Sequence, residues 1–185
     1  RMMGPSSCLV GRRAWATEYR VQELGSPTDR QTVGAGLNDS DQALVGVYNP
    51  GWPVTQLYSG GTVVQVGPGG GAPGFEGDAL DDAGDMVGRR VPEGYGAIGE
   101  TYVYSGGTWT DVQGSGAAGF MASTIVPTAG GGAVAGGKTD FQTGNSAMVV
   151  RDGRLEAVPG YDGVVAGNAS GDLLLSGGVT GIALM

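Results

Sequence analysis

Carboxylates recur in short polar segments of the chain, and they are the first groups whose chemistry needs an explanation. Several carboxylates in one loop could hold Ca²⁺, but none of these segments has the alternating spacing of a calcium loop. Asp and Asn also satisfy backbone groups in tight turns. We therefore predict turns and no metal site, with weak calcium binding as the alternative. The acidic residues concerned are Asp39, Asp41, Asp81, Asp82, Asp85 and Asp172.

Aromatic side chains recur in segments rich in Gly and Pro, where loops are expected. Loops carry binding functions more often than strands do. The rings could stack on the apolar faces of sugars, beside Asp, Glu and Asn side chains. Alternatively, they cap the ends of the packed core or mediate subunit contacts. The candidate ligand-binding residues are Trp52, Tyr95 and Phe141 in one set of loops and Phe75, Phe120 and Tyr161 in a second set.

The composition excludes several classes of function. The chain has no His, one Cys and one Lys, so it lacks Ser-His-Asp and Cys-His catalytic groups, His-containing zinc sites and an internal disulfide. A net charge of -8 disfavours nucleic-acid binding. No apolar run is long enough for a transmembrane helix. Paired carboxylates could support glycoside hydrolysis, but the spacing singles out no pair. We expect no enzymatic activity, no cofactor and no membrane insertion.

Many of the 39 glycines among the 185 residues recur at regular places. Residues 58–66 read YSGGTVVQV, and residues 104–112 read YSGGTWTDV, 46 positions later. Residues 150–158 are a looser copy at the same spacing. Each copy predicts two strands joined by a tight Gly turn. The run 106–109, GGTW, is similar to the end of a sialidase Asp box, but the upstream Ser-x-Asp is missing, so we interpret it as a hairpin turn.

A second unit precedes each hairpin and predicts two further strands joined by a polar turn. It occupies residues 36–46, 79–88, 126–136 and 166–175. Four strands in about 40 to 50 residues are typical of a β-propeller blade. We predict an all-β fold, a small propeller of about four four-stranded blades, spanning residues 17–185. The blades are expected at about 31–67, 74–113, 117–158 and 162–185.

The last predicted blade lacks a fourth strand, whereas the N-terminal region contains an unassigned one at residues 18–25. This strand would complete the blade and close the ring, which protects strand edges from aggregation. Other β-rich arrangements, including a piece of a longer repeat array, are the alternative. Residues 1–16 lie outside the repeats and are expected to form a leader or an arm that docks on a neighbouring subunit.

The unit Asn-Asp-x-x-Gln-x-x-Val-Gly at residues 38–46, followed by a strand rich in Trp and Tyr and a Gly turn, resembles the HAF-type extracellular repeats of bacteria. The resemblance covers residues 31–185. It implies an exported repeat protein of β-propeller type. In place of the family's His-Ala-Phe, this chain has TQLY at 55–58, TYVY at 101–104 and SAMV at 146–149.

Together these features predict an extracellular binding or adhesion module, located at a cell or virion surface, whose partner is a protein or glycan surface. The alternative is a structural subunit of a phage particle or surface filament, a homo-oligomer assembled through the N-terminal arm. A small secreted hydrolase is the disfavoured third hypothesis.

Overall fold

The protein is all-β in the computed structural model, which confirms the all-β part of the predicted fold. Among the residues described, the one helical element is a four-residue turn, Pro68–Gly71. No helix in that part of the chain is long and apolar enough to cross a membrane. The structure describes residues 31–48, 52–71, 74–91, 99–112, 120–127, 133–139, 146–151, 153–168, 170, 172–177 and 182–185.

The strands form four small antiparallel sheets, each built from consecutive strands of the chain. The first sheet contains β1 (Gln31–Leu37), β2 (Ala43–Tyr48), β3 (Pro53–Ser59) and β4 (Thr62–Val66). The second contains β5 (Phe75–Leu80), β6 (Met86–Arg90), β7 (Thr101–Ser105) and β8 (Thr108–Asp111). The third contains β9 (Phe120–Pro127), β10 (Ala133–Thr139), β11 (Ala147–Arg151) and β12 (Arg154–Val158). The fourth contains β13 (Gly163–Gly167), β14 (Leu173–Ser176) and β15 (Ile182–Leu184).

Tight glycine turns join the last two strands of the first and second sheets. Gly60 and Gly61 have φ of 57° and 79°, and Gly106 and Gly107 have φ of 58° and 85°. Positive φ at both central residues is typical of a type I′ hairpin turn, whose twist matches that of the flanking strands. The glycines therefore permit the turn that brings β3 beside β4 and β7 beside β8.

The first strand of every sheet carries a bulge at an equivalent place. In each sheet, the register shifts by one residue where this strand pairs with the next one. A bulge increases the local twist and turns one side chain away from the ladder. The bulged residues are Ala35, Asp78, Ser123 and Val165.

Each sheet packs on the next one along the chain, and the hydrophobic core lies in the layers between them. β5 contacts β1, β2 and β3, while β13 contacts β9, β10 and β11. The layer between the first two sheets contains Leu44, Leu80 and Met86. Phe120 and Val150 belong to the next layer, and Leu173 and Leu175 belong to the last.

Close approach of the first two sheets depends on Gly77. A Cβ at this position would lie 2.8 Å from Leu44 Cδ2 and 2.9 Å from Thr55 Cγ2. The Thr55 hydroxyl donates to the carbonyl of Phe75 and accepts from the amide of Gly77, both at 2.8 Å. One buried side chain on β3 is thus hydrogen-bonded to the backbone of β5 at two places.

The strands of the four sheets fall at 31–66, 75–111, 120–158 and 163–184. The fourth sheet has three strands among the described residues, and β15 pairs there with β14 alone. The N-terminal strand predicted at 18–25 and the arm at 1–16 lie outside the described residues.

Candidate functional site

A cleft of about 640 Å³ opens between the first and second sheets, which we call the Trp109 cleft. It is lined by apolar side chains, two glutamines, one carboxylate and several glycines. This volume lies within the range of small-molecule sites. The side chains that define it are Gln42, Leu57, Val64, Gln65, Val66, Asp85, Met86, Tyr104 and Trp109.

Glycine makes the opening possible, because a glycine contributes backbone but no side chain to the lining. Gly67, Gly70 and Gly71 follow β4, and Gly106 and Gly107 form the β7–β8 turn. Gln65 Nε2 donates to the carbonyl of Gly71 and fixes this side chain against the wall. Of these glycines, Gly70, Gly106 and Gly107 are exposed, whereas Gly67 and Gly71 are buried.

Two aromatic rings lie side by side in the cleft. Tyr104 on β7 and Trp109 on β8 are directly paired across the strands, with ring centroids 5.1 Å apart and planes inclined by 49°. Phe75 supports Trp109 from within the core, edge to face, with centroids 5.0 Å apart. Tyr104 and Trp109 are half-buried, whereas Phe75 is 2% exposed. The packing holds Trp109 in position and leaves part of its surface accessible.

The polar wall of the cleft is built from a turn that recurs in three sheets. In the first sheet, Asn38 Oδ1 accepts hydrogen bonds from the amides of Ser40 and Gln42 at 3.1 and 2.9 Å. Asp81 Oδ1 accepts from Ala83 and Asp85 in the same way, both at 2.9 Å. Asn168 repeats the pattern in the fourth sheet. The acidic segments predicted as turns are therefore turns in which one side-chain oxygen satisfies two backbone amides.

These turns differ at one atom. The side-chain amides of Asn38 and Asn168 donate to the residue four positions later, to Gln42 Oε1 at 2.7 Å and Asp172 Oδ2 at 2.9 Å. Asp81 has an oxygen, Oδ2, in place of that amide, and this oxygen is buried without a hydrogen-bond partner. Because Asp81 has no side-chain N–H, this turn lacks the donor that its two counterparts have. The residue four positions later is a second carboxylate, Asp85.

Burial raises the pKa of the Asp81 carboxyl group, against the lowering effect of the hydrogen bond that Asp81 receives from the Asp85 amide. Asp85 is 8% exposed and accepts a hydrogen bond from the Ser105 hydroxyl at 3.0 Å. Gln42 makes the equivalent contact in the first sheet, donating to Ser59 Oγ at 3.2 Å. Asp85 and Gln42 thus lie at matching places in neighbouring sheets and both face the Trp109 cleft.

A second polar cluster lies at the opposite end of the same sheet interface. Arg89 contacts Glu76 Oε2 through Nη2 at 2.9 Å and Nε at 3.2 Å, and Tyr48 donates its hydroxyl to Glu76 Oε1. Burial and this hydrogen bond raise the pKa of Tyr48. Glu76 is therefore occupied on both oxygens, and the cluster ties β2 to β5 and β6.

Asp78 extends this cluster into the interior. Its Oδ1 lies 3.9 Å from Arg89 Nη2, and its Oδ2 is buried without a hydrogen-bond partner. The Asp78 carboxyl group also receives a backbone hydrogen bond from Ala122 in the third sheet. Burial raises the pKa of Asp78 to about 7, against the lowering effect of Arg89.

The structure separates the aromatic residues predicted to bind ligand. Phe75 and Phe120 are buried, at 2% and 0% exposure, and serve the packing between sheets, which leaves no ring surface for a ligand. Trp52 is half-buried and lies against Gly74, outside the Trp109 cleft. Tyr161 is half-buried against the core layer of the third and fourth sheets. Tyr95 and Phe141 lie outside the described residues.

The sequence prediction omitted Trp109 and Tyr104 as site residues. Both belong to the hairpin repeat, and the GGTW run at 106–109 is explained by its turn alone. A signal was nevertheless present in the sequence. Trp109 on β8 lies at the position that Val63 has on β4, so an aromatic side chain replaces an aliphatic side chain at matching places. No group of three or more metal-ligating side chains occurs in the described part of the chain.

Comparisons with protein-family models, curated proteins and solved structures found no match. The resemblance to HAF-type repeats stays a prediction from the residues themselves.

Proposed function

We propose that this protein is a non-catalytic binding module, acting outside the cell or on a virion surface, and that the Trp109 cleft binds a glycan. The juxtaposition of Trp109 and Tyr104 with Gln42, Gln65 and Asp85 supports this proposal. A sugar ring has an apolar face that packs on an aromatic ring and a rim of hydroxyls that needs amide and carboxylate partners. The cleft offers both kinds of surface within one space.

The same set of side chains disfavours hydrolysis at this place. Cleavage by the usual glycosidase mechanism uses two carboxyl groups that flank the bond. Asp85 is the one carboxylate among the side chains that line the cleft in the described part of the chain. Glu76 is held by Arg89 and Tyr48 at the other end of the interface.

Binding to an immobilised glycan array, followed by calorimetry on the ligands found, tests this function. Trp109→Ala removes the stacking surface and is expected to weaken binding about tenfold or more, equivalent to roughly 1.4 kcal/mol. Gln65→Ala changes an exposed wall side chain and is expected to weaken binding without altering the fold. Trp52→Ala is the matched control, because this Trp lies outside the cleft. A wild-type protein that binds no glycan on the array contradicts the proposal.

We further propose that the four sheets are blades of a small propeller, closed by residues 18–25 on the free edge of β15. Connections between one sheet and the next contain eight, eight and four residues, after β4, β8 and β12. Five residues separate position 25 from the start of β1. A fourth strand at 18–25 would therefore precede β1 by a connection of the usual length.

Assembly as a structural subunit is the second candidate function, supported by apolar side chains exposed on the first and last sheets. Val33 and Leu37 of β1 are 43% and 76% exposed, and Val165 and Leu184 of the fourth sheet are 53% and 70% exposed. Contacts between copies could cover these side chains. Light scattering separates the two candidates, because a dilute monomer contradicts assembly.

A further inference from the structure

We infer that the Trp109 cleft selects a cationic, amine-bearing sugar over neutral and acidic sugars. This inference rests on the proposed glycan-binding function and specifies its ligand. Three features support it: the charge of the cleft, the missing donor beside Asp85 and the two aromatic rings.

Among the described residues, the lining of the cleft carries one carboxylate and no cation. Asp85 lies in its wall, 8% exposed, and its side chain accepts a hydrogen bond from the neutral hydroxyl of Ser105. The lining contains no Lys or Arg among the described residues. Arg89 is engaged by Glu76 at the far end of the interface. A buried carboxylate without a cation attracts an ammonium group more strongly than an exposed one, because water screens it less.

Comparison of the three equivalent turns supports the same conclusion. Asn38 and Asn168 each donate an N–H to the residue four positions later, whereas Asp81 presents the unpartnered Oδ2 near Asp85. The turn beside the cleft therefore has two acidic side chains where the others have an internal donor. An ammonium group bound at Asp85 would add a positive charge and N–H donors where the protein supplies neither.

The aromatic rings favour the same ligand. A cation near the face of Trp or Tyr is attracted by the ring quadrupole. Trp109 and Tyr104 line the same cleft as Asp85, so an amino sugar could contact a ring and the carboxylate at once. An acidic sugar would meet the repulsion of Asp85 instead.

Calorimetry with three short oligosaccharides tests the inference: a glucosamine oligomer, its N-acetylated counterpart and a galacturonate oligomer, at a pH where the amines are protonated. We expect the glucosamine oligomer to bind the wild-type protein at least about tenfold more tightly than the N-acetylated one. The galacturonate oligomer should bind most weakly.

Asp85→Asn is the decisive variant. The new amide keeps an acceptor for Ser105 and offers a donor toward Asp81 Oδ2, so the turn retains its hydrogen bonds. The affinity ratio of the amine over the N-acetylated oligomer should fall to near one. Asp172→Asn is the matched control, since Asp172 has the same turn position in the fourth sheet and lies outside the cleft.

Equal affinities for the amine and N-acetylated oligomers in the wild-type protein overturn the inference and leave the glycan-binding function standing. A preference that Asp85→Asn and Asp172→Asn reduce equally also overturns it, because the attraction then comes from the overall charge. Binding of none of the three oligomers, together with a blank array, overturns both proposals.

Discussion

Asp78 shows how one residue can depart from the pattern of its repeat. The bulged positions of the other sheets hold Ala35, Ser123 and Val165, which carry no charge. Asp78 occupies the second sheet's position with a carboxylate whose side chain is 10% exposed. Arg89 lies nearby but makes its shorter contact with Glu76, so the charge of Asp78 is only partly compensated.

Asp78 should therefore make stability depend on pH. Its folded-state pKa of about 7 lies above the value near 4 of an unfolded Asp, so folding favours the protonated form. The stabilisation from this group is present in full below about pH 4 and is lost as the pH rises through 7. Asp78→Asn mimics the protonated side chain, and we expect it to exceed the wild type in unfolding free energy by roughly 2–4 kcal/mol at pH 8.

Urea denaturation of both proteins at several values between pH 4 and 8 measures this difference. The advantage of Asp78→Asn should shrink toward zero at pH 4. Asp162→Asn makes the same charge change on an exposed side chain and serves as the control. A difference in unfolding free energy that does not vary with pH would show that folding does not raise the pKa of Asp78.

Site residues were harder to predict than turn residues, for a physical reason. Asp81 and Asn38 act on amides two and four positions away, so their turns are encoded locally. The rings of Phe75 and Trp109 are in contact although the two residues lie on different strands, β5 and β8. The packing of the sheets determines which of the two rings is buried. Aromatic content alone could not distinguish the supporting ring from the accessible one.

At the scale of the strands, Thr55 joins two sheets through its hydroxyl. It is 1% exposed and bonds to both the Phe75 carbonyl and the Gly77 amide of β5. Thr101, 46 positions later, is also fully buried. Sequence periodicity predicts both positions as strand residues. It does not show that the Thr55 hydroxyl faces inward, because its hydrogen-bond partners lie in the next sheet.

Thr55→Val should separate the hydroxyl from the shape of the side chain. The substitution leaves the Gly77 amide buried without its acceptor, at a cost of about 1–3 kcal/mol. Thr55→Ser keeps the hydroxyl and is expected to retain more of the stability. Chemical denaturation gives both values. Equal stability of Thr55→Val and the wild type would show that the contact contributes nothing.

At the scale of the molecule, the sequence predicts strand content, hairpins and the division into four groups of strands because all of these depend on neighbouring residues. Closure of the proposed ring depends on residues at opposite ends of the chain. Within the described residues, β15 pairs with β14 alone and Leu184 is exposed, so a further strand could pair along this edge.

Two truncations test closure. Removing residues 1–16 leaves the proposed strand, and we expect a monomer as stable as the whole chain. Removing residues 1–25 also deletes Val21 and Leu24, and should cost roughly 2–4 kcal/mol and cause association through the free edge. Light scattering and thermal unfolding measure both effects. If the first truncation instead dissociates an existing oligomer, the arm serves assembly.

The strand order of every sheet follows the order of the chain, and each sheet packs on its successor. Ladder partners are therefore close in sequence, and the loops that must close during folding are short. A nascent chain emerging from the ribosome can complete one sheet before the next has been translated. Each finished sheet then provides the surface on which the following one condenses, so folding would proceed in the direction of synthesis.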